Sequence, residues 1–168
     1  MNKQGFTLIE VLIAIVIVGI ALVSLIAANS SFTSTNDYGV KLSTSEFLIE
    51  QIREMTSREL TKARLLPISD PDGTEIFGHE ESLLADYDDL YDFDGFDSAN
   101  LSGPINSERV SLSDFSAFSQ RVTVQKVNDS DFQTVLPDSI PVAFVRVTVT
   151  ISLNSKPISS ASWIRAAY

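Results

Sequence analysis

Residues 1–28, MNKQGFTLIEVLIAIVIVGIALVSLIAA, hold a short basic leader, a Gly5-Phe6 junction, one acid at Glu10, and an uncharged run from Val11 to Ala28. That run of 18 residues, at about 1.5 Å of rise each, spans roughly 27 Å as a helix, close to the hydrocarbon thickness of a bilayer. It reads as a spanning segment, not as the core helix of a soluble domain. An ordinary secretory signal shares the basic-then-apolar order and ends on small residues, for which Ala27-Ala28 could serve. Its apolar region is shorter, about 7 to 15 residues, and Glu10 interrupts the place where such a signal is most hydrophobic. A plain single-pass anchor fits the hydropathy but leaves the string Gly5-Phe6-Thr7-Leu8-Ile9-Glu10 unexplained.

That string, followed by Val11 and the apolar run, resembles the N-terminal signal of type IV prepilins and of the pseudopilins of type II secretion. The resemblance implies that a prepilin peptidase cuts between Gly5 and Phe6 and that the new N-terminal Phe6 is methylated. It further implies that the hydrophobic helix is retained as anchor and assembly surface, with Glu10 setting register. An ionised carboxylate at membrane depth costs about 2.5 to 3.5 kcal/mol on insertion scales, so an acid there marks a paired or functional group. Cleavage creates an ammonium at Phe6 that could meet Glu10 of a neighbouring subunit. Such a buried pair specifies position more than it adds stability, because desolvation offsets much of the attraction. Residues 6 and 10 are also one helical turn apart, so an intrachain pair is the alternative.

Beyond leader and anchor the 168-residue chain leaves enough length for one domain with a modest core. A formal net charge of -10 argues against binding nucleic acid, which needs clustered Lys/Arg to displace counterions. The densest basic set, Lys41, Arg53, Arg58, Lys62 and Arg64, alternates with Glu46, Glu50, Glu54 and Glu59 and reads as a solvated mixed-charge helix face. Lys3 and the initiator amine precede the anchor while the remainder is acidic, so the N-terminus is expected in the cytoplasm and the head in the periplasm. Cysteine is absent, which departs from the disulfide-closed head of many major pilins and favours a minor pilin or a pseudopilin.

The expected fold is α+β and pilin-like. Residues 1–5 form the leader, 6–28 the transmembrane and assembly helix, and 29–64 its amphipathic continuation. Residues 65–118 form an irregular loop region, and 119–168 the antiparallel sheet of the head. Asn29 to Asn36 is rich in mediocre helix formers, yet no proline occurs before Pro67, so one helix from about Phe6 to about Arg64 is allowed. Val40, Phe47, Leu48, Ile52 and Met55 are expected to build its apolar stripe. Gly19 and Gly39 are weak points, each costing about 1 kcal/mol relative to Ala.

Breakers crowd the segment from Leu65 to Phe118, among them Pro67, Pro71, Gly73, Gly78, Gly95 and Gly103. Inside it Asp86, Asp88, Asp89, Asp92, Asp94 and Asp97 alternate with aromatics. Oxygen-rich clusters suit a hard cation such as calcium, and the pilin resemblance implies calcium in this region for some members. The EF-hand template fails, because Leu90 and Leu101 would fall at its first and last ligand positions. The other reading docks Tyr87, Tyr91, Phe93 and Phe96 on the head and leaves the aspartates solvated. No other cofactor is expected.

Val145, Val147, Val149, Ile151 and Leu153 alternate with polar residues, the signature of a half-buried strand. Phe118 to Val127 repeats the pattern more weakly, and Ile158 to Ile164 follows a turn at Asn154-Ser155-Lys156-Pro157. The single histidine, His79, stands in a loop, and no nucleotide-binding or nucleophile motif occurs, so no enzymatic activity is expected. The reading is a structural subunit of a type IV pilus in the inner membrane, partnered by other pilin subunits, the prepilin peptidase and the assembly platform. A type II secretion pseudopilin and a tip adhesin are the alternatives.

Overall fold

The computed structural model describes residues 7–57, 59–61, 64–65 and 83–166. The chain divides into two compact units, residues 1–41 and 42–168. Helix α1, Leu8–Ser57, contributes to both. In the first unit its apolar side chains are exposed, and the first buried residue of the helix is Ser45. The hydroxyls of Ser24, Thr33 and Thr35 donate to the carbonyls of Ile20, Asn29 and Ser31 at 2.9, 3.0 and 3.0 Å. Because these bonds fall within the helix, four residues back, the polar stretch continues it rather than diverting the backbone. Helical geometry also runs unbroken through Gly19 and Gly39.

In the second unit, Leu48, Ile49, Ile52 and Met55 form the buried face of α1. Two members of the expected stripe do not belong to it. Val40 is exposed, and Phe47 lies at the rim, its ring 6.1 Å from that of Phe115. Ile49 takes a buried place instead, because positions 45, 48, 49, 52, 55 and 56 follow the 3.6-residue period more closely.

The helix stops at Ser57, short of the expected Arg64. Glu59–Thr61 (β1) then pairs antiparallel with Arg64–Leu65 (β2). The sheet caps this end. The Arg165 guanidinium donates to the backbone carbonyl of Thr56, one of the terminal oxygens that a helix leaves without an internal partner. A cation at that end also complements the helix dipole, and the last turn supplies none of its own.

Phe118–Lys126 (β3), Phe144–Leu153 (β4) and Lys156–Ala166 (β5) form an antiparallel sheet in the order β3-β4-β5. Val145, Val147, Val149 and Ile151 are fully buried and meet Val122 and Val124 of β3 in one core cluster with the helix. The final hairpin is tighter than the four-residue turn read from the sequence. Only Asn154 and Ser155 form it, at φ +48° and +64°, while Lys156 and Pro157 already belong to β5. Two left-handed residues match the twist of the flanking strands, and Pro157, which lacks an N–H, is tolerated because β5 is an end strand.

Loop residues complete the core. Leu90, Tyr91, Phe93, Phe96 and Ile105 are buried against the sheet and helix. Gly95 N donates to Val122 O at 3.2 Å and Val122 N to Phe96 O at 2.9 Å, so the loop covers the outer edge of β3.

Gln120 joins the three parts. It is fully buried, its Oε1 accepts from Ile105 N at 2.7 Å, and its Nε2 donates to Leu48 O and Ile105 O, both at 3.0 Å. Replacing Gln120 with Leu would keep the volume but leave the Ile105 amide without a partner, which costs roughly 2 to 3 kcal/mol. A denaturant titration of the detergent-solubilised chain should show that loss. A change below about 0.5 kcal/mol, the range of ordinary surface substitutions, would show that the clamp is not needed.

Candidate functional site

Thr7 and Glu10 open the helix together. Glu10 Oε2 accepts from both the backbone N–H and the hydroxyl of Thr7 at 3.0 Å. In return, Glu10 N donates to Thr7 Oγ1 at 3.4 Å and to Thr7 O at 3.1 Å. This is a capping box, in which the side chains at the N-cap and three residues later satisfy each other's orphan donors. The Thr-x-x-Glu spacing announces it in the sequence, although the reading there concerned only the acid. Gly5 and Phe6 lie outside the described residues, as does His79.

Both Thr7 bonds converge on Oε2, and Oε1 meets no hydrogen-bond partner among the described residues. The carboxylate stands at one end of an apolar face made by Val11, Ala14, Ile15 and Val18. Its own helix therefore leaves Glu10 acceptor capacity in hydrophobic surroundings, which suits it to a cation brought by another chain.

The aspartates do not gather at one point. Asp92 accepts from the backbone N–H of Asp88 at 2.8 Å and of Asp89 at 3.1 Å, and Asp89 accepts from Asp92 N at 3.1 Å. Asp94 receives Val124 N at 2.8 Å, closing the edge of β3. Asp97 pairs with Arg121 at 2.6 Å and accepts from Ala99 N at 2.9 Å. Asp86 and Asp88 are exposed. Among the described residues, no three acidic or histidine side chains are placed to hold a metal ion. The expectation of docked aromatics holds, with Tyr91, Phe93 and Phe96 buried. The expectation of solvated aspartates fails for Asp89 and Asp92, each 2 % exposed, because the turn needs their carboxylates to satisfy its own amides.

Arg109, missed from the sequence, fastens the same loop. It sits at φ +63°, donates to Leu84 O at 3.0 Å and Ala85 O at 3.2 Å, and lies 5.7 Å from the centre of the Phe93 ring. No sequence spacing signals a contact between residues this far apart.

Burial pushes the Asp89 carboxyl up to about 7, with the Asp92 and Asp88 charges adding to the effect against the backbone N–H bonds. A folded value above the unfolded one of 3.8 means that the fold favours the proton, so stability declines as pH rises from about 4 to 7. Asp89→Asn removes the charge while keeping an acceptor for Asp92 N. It should raise the thermal midpoint by about 4 °C at pH 8, a shift worth roughly 1 kcal/mol in a domain of this size, and change little at pH 4. Equal midpoints for variant and parent at pH 8 would contradict the buried-carboxyl account.

Comparison with curated proteins and with solved structures yields no match. Residues 1–26 match the family model of the prokaryotic N-terminal methylation motif. Its signal accompanies assembly with other pilin-type subunits and processing by a prepilin peptidase, and the family it marks is structural rather than enzymatic. The long apolar helix behind it fits membrane anchoring. Over its first 26 residues the chain thus carries the type IV pilin and pseudopilin signal.

Proposed function

We propose that this chain is a minor-pilin-like structural subunit of a type IV pilus. It is inserted in the inner membrane with its N-terminus cytoplasmic and its head periplasmic. It is cleaved after Gly5, methylated on Phe6 and assembled through the N-terminal helix. The observation that carries this reading is the pairing of the methylation motif with a helix whose apolar residues from Leu8 to Ile26 find no cover in their own chain. A helix apolar on every side demands a nonpolar environment, first lipid and then the helices of neighbouring subunits. The absence of cysteine and the irregular acidic loop favour a minor over a major subunit.

Glu10 then has two duties. It caps its own helix, and its remaining oxygen accepts the Phe6 ammonium of a neighbour, fixing axial register. Glutamine is accepted in a capping box as readily as glutamate, but it cannot form an ion pair. Glu10→Gln should therefore insert and be processed as the parent is, yet fail to enter filaments. Filament entry at the parent level would leave only the capping duty. Mass spectrometry of the mature protein should find a chain beginning at methylated Phe6. A mature chain beginning near Asn29 would overturn the reading, because the assembly helix would then have been removed.

A further inference from the structure

The head carries its charges on opposite layers. On α1, Glu46, Glu50 and Glu54 are exposed and follow one another at single-turn spacing, forming an acidic ridge away from the buried face. Glu50 pairs with Arg53 at 2.6 Å, whereas Glu46 and Glu54 make no ion pair among the described residues. Eight helical residues place these two about 12 Å apart.

The sheet presents the complement. None of the three strands contains an acidic residue, although the chain holds 22. On the outer face, cross-strand hydroxyl pairs, Thr148 with Ser162 at 2.8 Å and Thr150 with Ser160 at 3.2 Å, make a polar surface. It is flanked by Arg121 and Arg146. Arg121 pairs with Asp97 at 2.6 Å but keeps 68 % of its side chain exposed, and Arg146 gives one amino group to Gln125 at 2.8 Å. Arg121 lies opposite Thr150 and Arg146 opposite Gln125, so the two arginines are four strand positions apart, roughly 13 Å. The spacing of the two cations thus matches that of Glu46 and Glu54.

We propose that the outer sheet face of one head docks on the helix ridge of a second copy of this chain, with Arg121 and Arg146 facing Glu46 and Glu54. Two different faces of one subunit then meet, a heterologous contact that repeats instead of closing into a dimer. Subunits of net charge -10 repel when packed closely, and the strands themselves add no acidic residue to that repulsion, Asp97 beside them being paired with Arg121. Charged contacts of this kind set orientation and exclude wrong registers more than they add affinity. In the assembled state the apolar helices supply cohesion and the heads supply alignment.

The proposal rests on the filament reading and can fail separately from it. The parent chain has no cysteine, so a Glu50→Cys, Thr148→Cys double variant contains only the two thiols under test. Thr148 lies midway between the positions of the two arginines along the sheet. Oxidation of assembled filaments with copper-phenanthroline should yield a ladder of covalent dimers, trimers and longer species. Each single-Cys variant should stop at dimers or remain monomeric. Filaments that form but give no ladder from the double variant would overturn the docking alone. If the parent forms no filaments, the assembly reading falls and this proposal with it. As an independent arm, Arg146→Glu should lower filament yield about tenfold, the size of one like-charge contact at an interface. Adding Glu54→Lys, the reversal of the residue that faces Arg146, should restore the yield, and failure to restore it in a folded double variant would count against the contact.

Discussion

A helix that its own chain does not cover is the constraint from which the other features follow. From Leu8 to Ile26 the large apolar side chains of α1 are all exposed. Each buried methylene contributes about 0.8 kcal/mol, so moving this surface out of water yields more than the marginal stability of a small head. The helix therefore calls for a membrane or a crowd of similar helices around it. That requirement explains the rarity of charge in this stretch, where Glu10 is the one exception.

The head solves a different problem, which is to hold the last third of a long helix in a fixed rotation on the sheet. Apolar packing of Leu48, Ile52 and Met55 against the valines of β3 and β4 supplies cohesion, but hydrophobic contact is not directional. Direction comes from hydrogen bonds, of which Ser107 N to Gln51 Oε1 at 3.1 Å uses a helix side chain and two others reach the helix backbone. Gln120 reaches the middle of the buried helical segment and Arg165 its end. Between them the helix has little freedom to slide or turn on the sheet.

Legibility in the sequence followed the range of the interactions. The apolar run, the strict alternation in β4 and the motif at Gly5-Phe6 are local patterns, and each could be read directly. The helix end could not, because the side chain that caps it is Arg165, more than a hundred residues away. The place of Phe47 was misjudged because period counting does not separate a rim position from a buried one. The acidic loop looked like a ligand cluster because composition reports how many oxygens are present but not where they point. Asp89, Asp92 and Asp94 point at backbone amides. Gln120 gave no signal at all, since a polar residue on an otherwise apolar strand face is visible only once the opposing carbonyl is in place.

The grips of Gln120 and Arg165 on the helix close on main-chain oxygens, of Leu48 and of Thr56, instead of on side chains. Every amino acid carries such an oxygen, so these two bonds do not depend on which residues the exposed face of the helix presents. Heritable drift along the outward surface of that segment is thereby decoupled from the docking of the helix. Surface chemistry there can diversify under selection while the scaffold beneath it stays in one alignment.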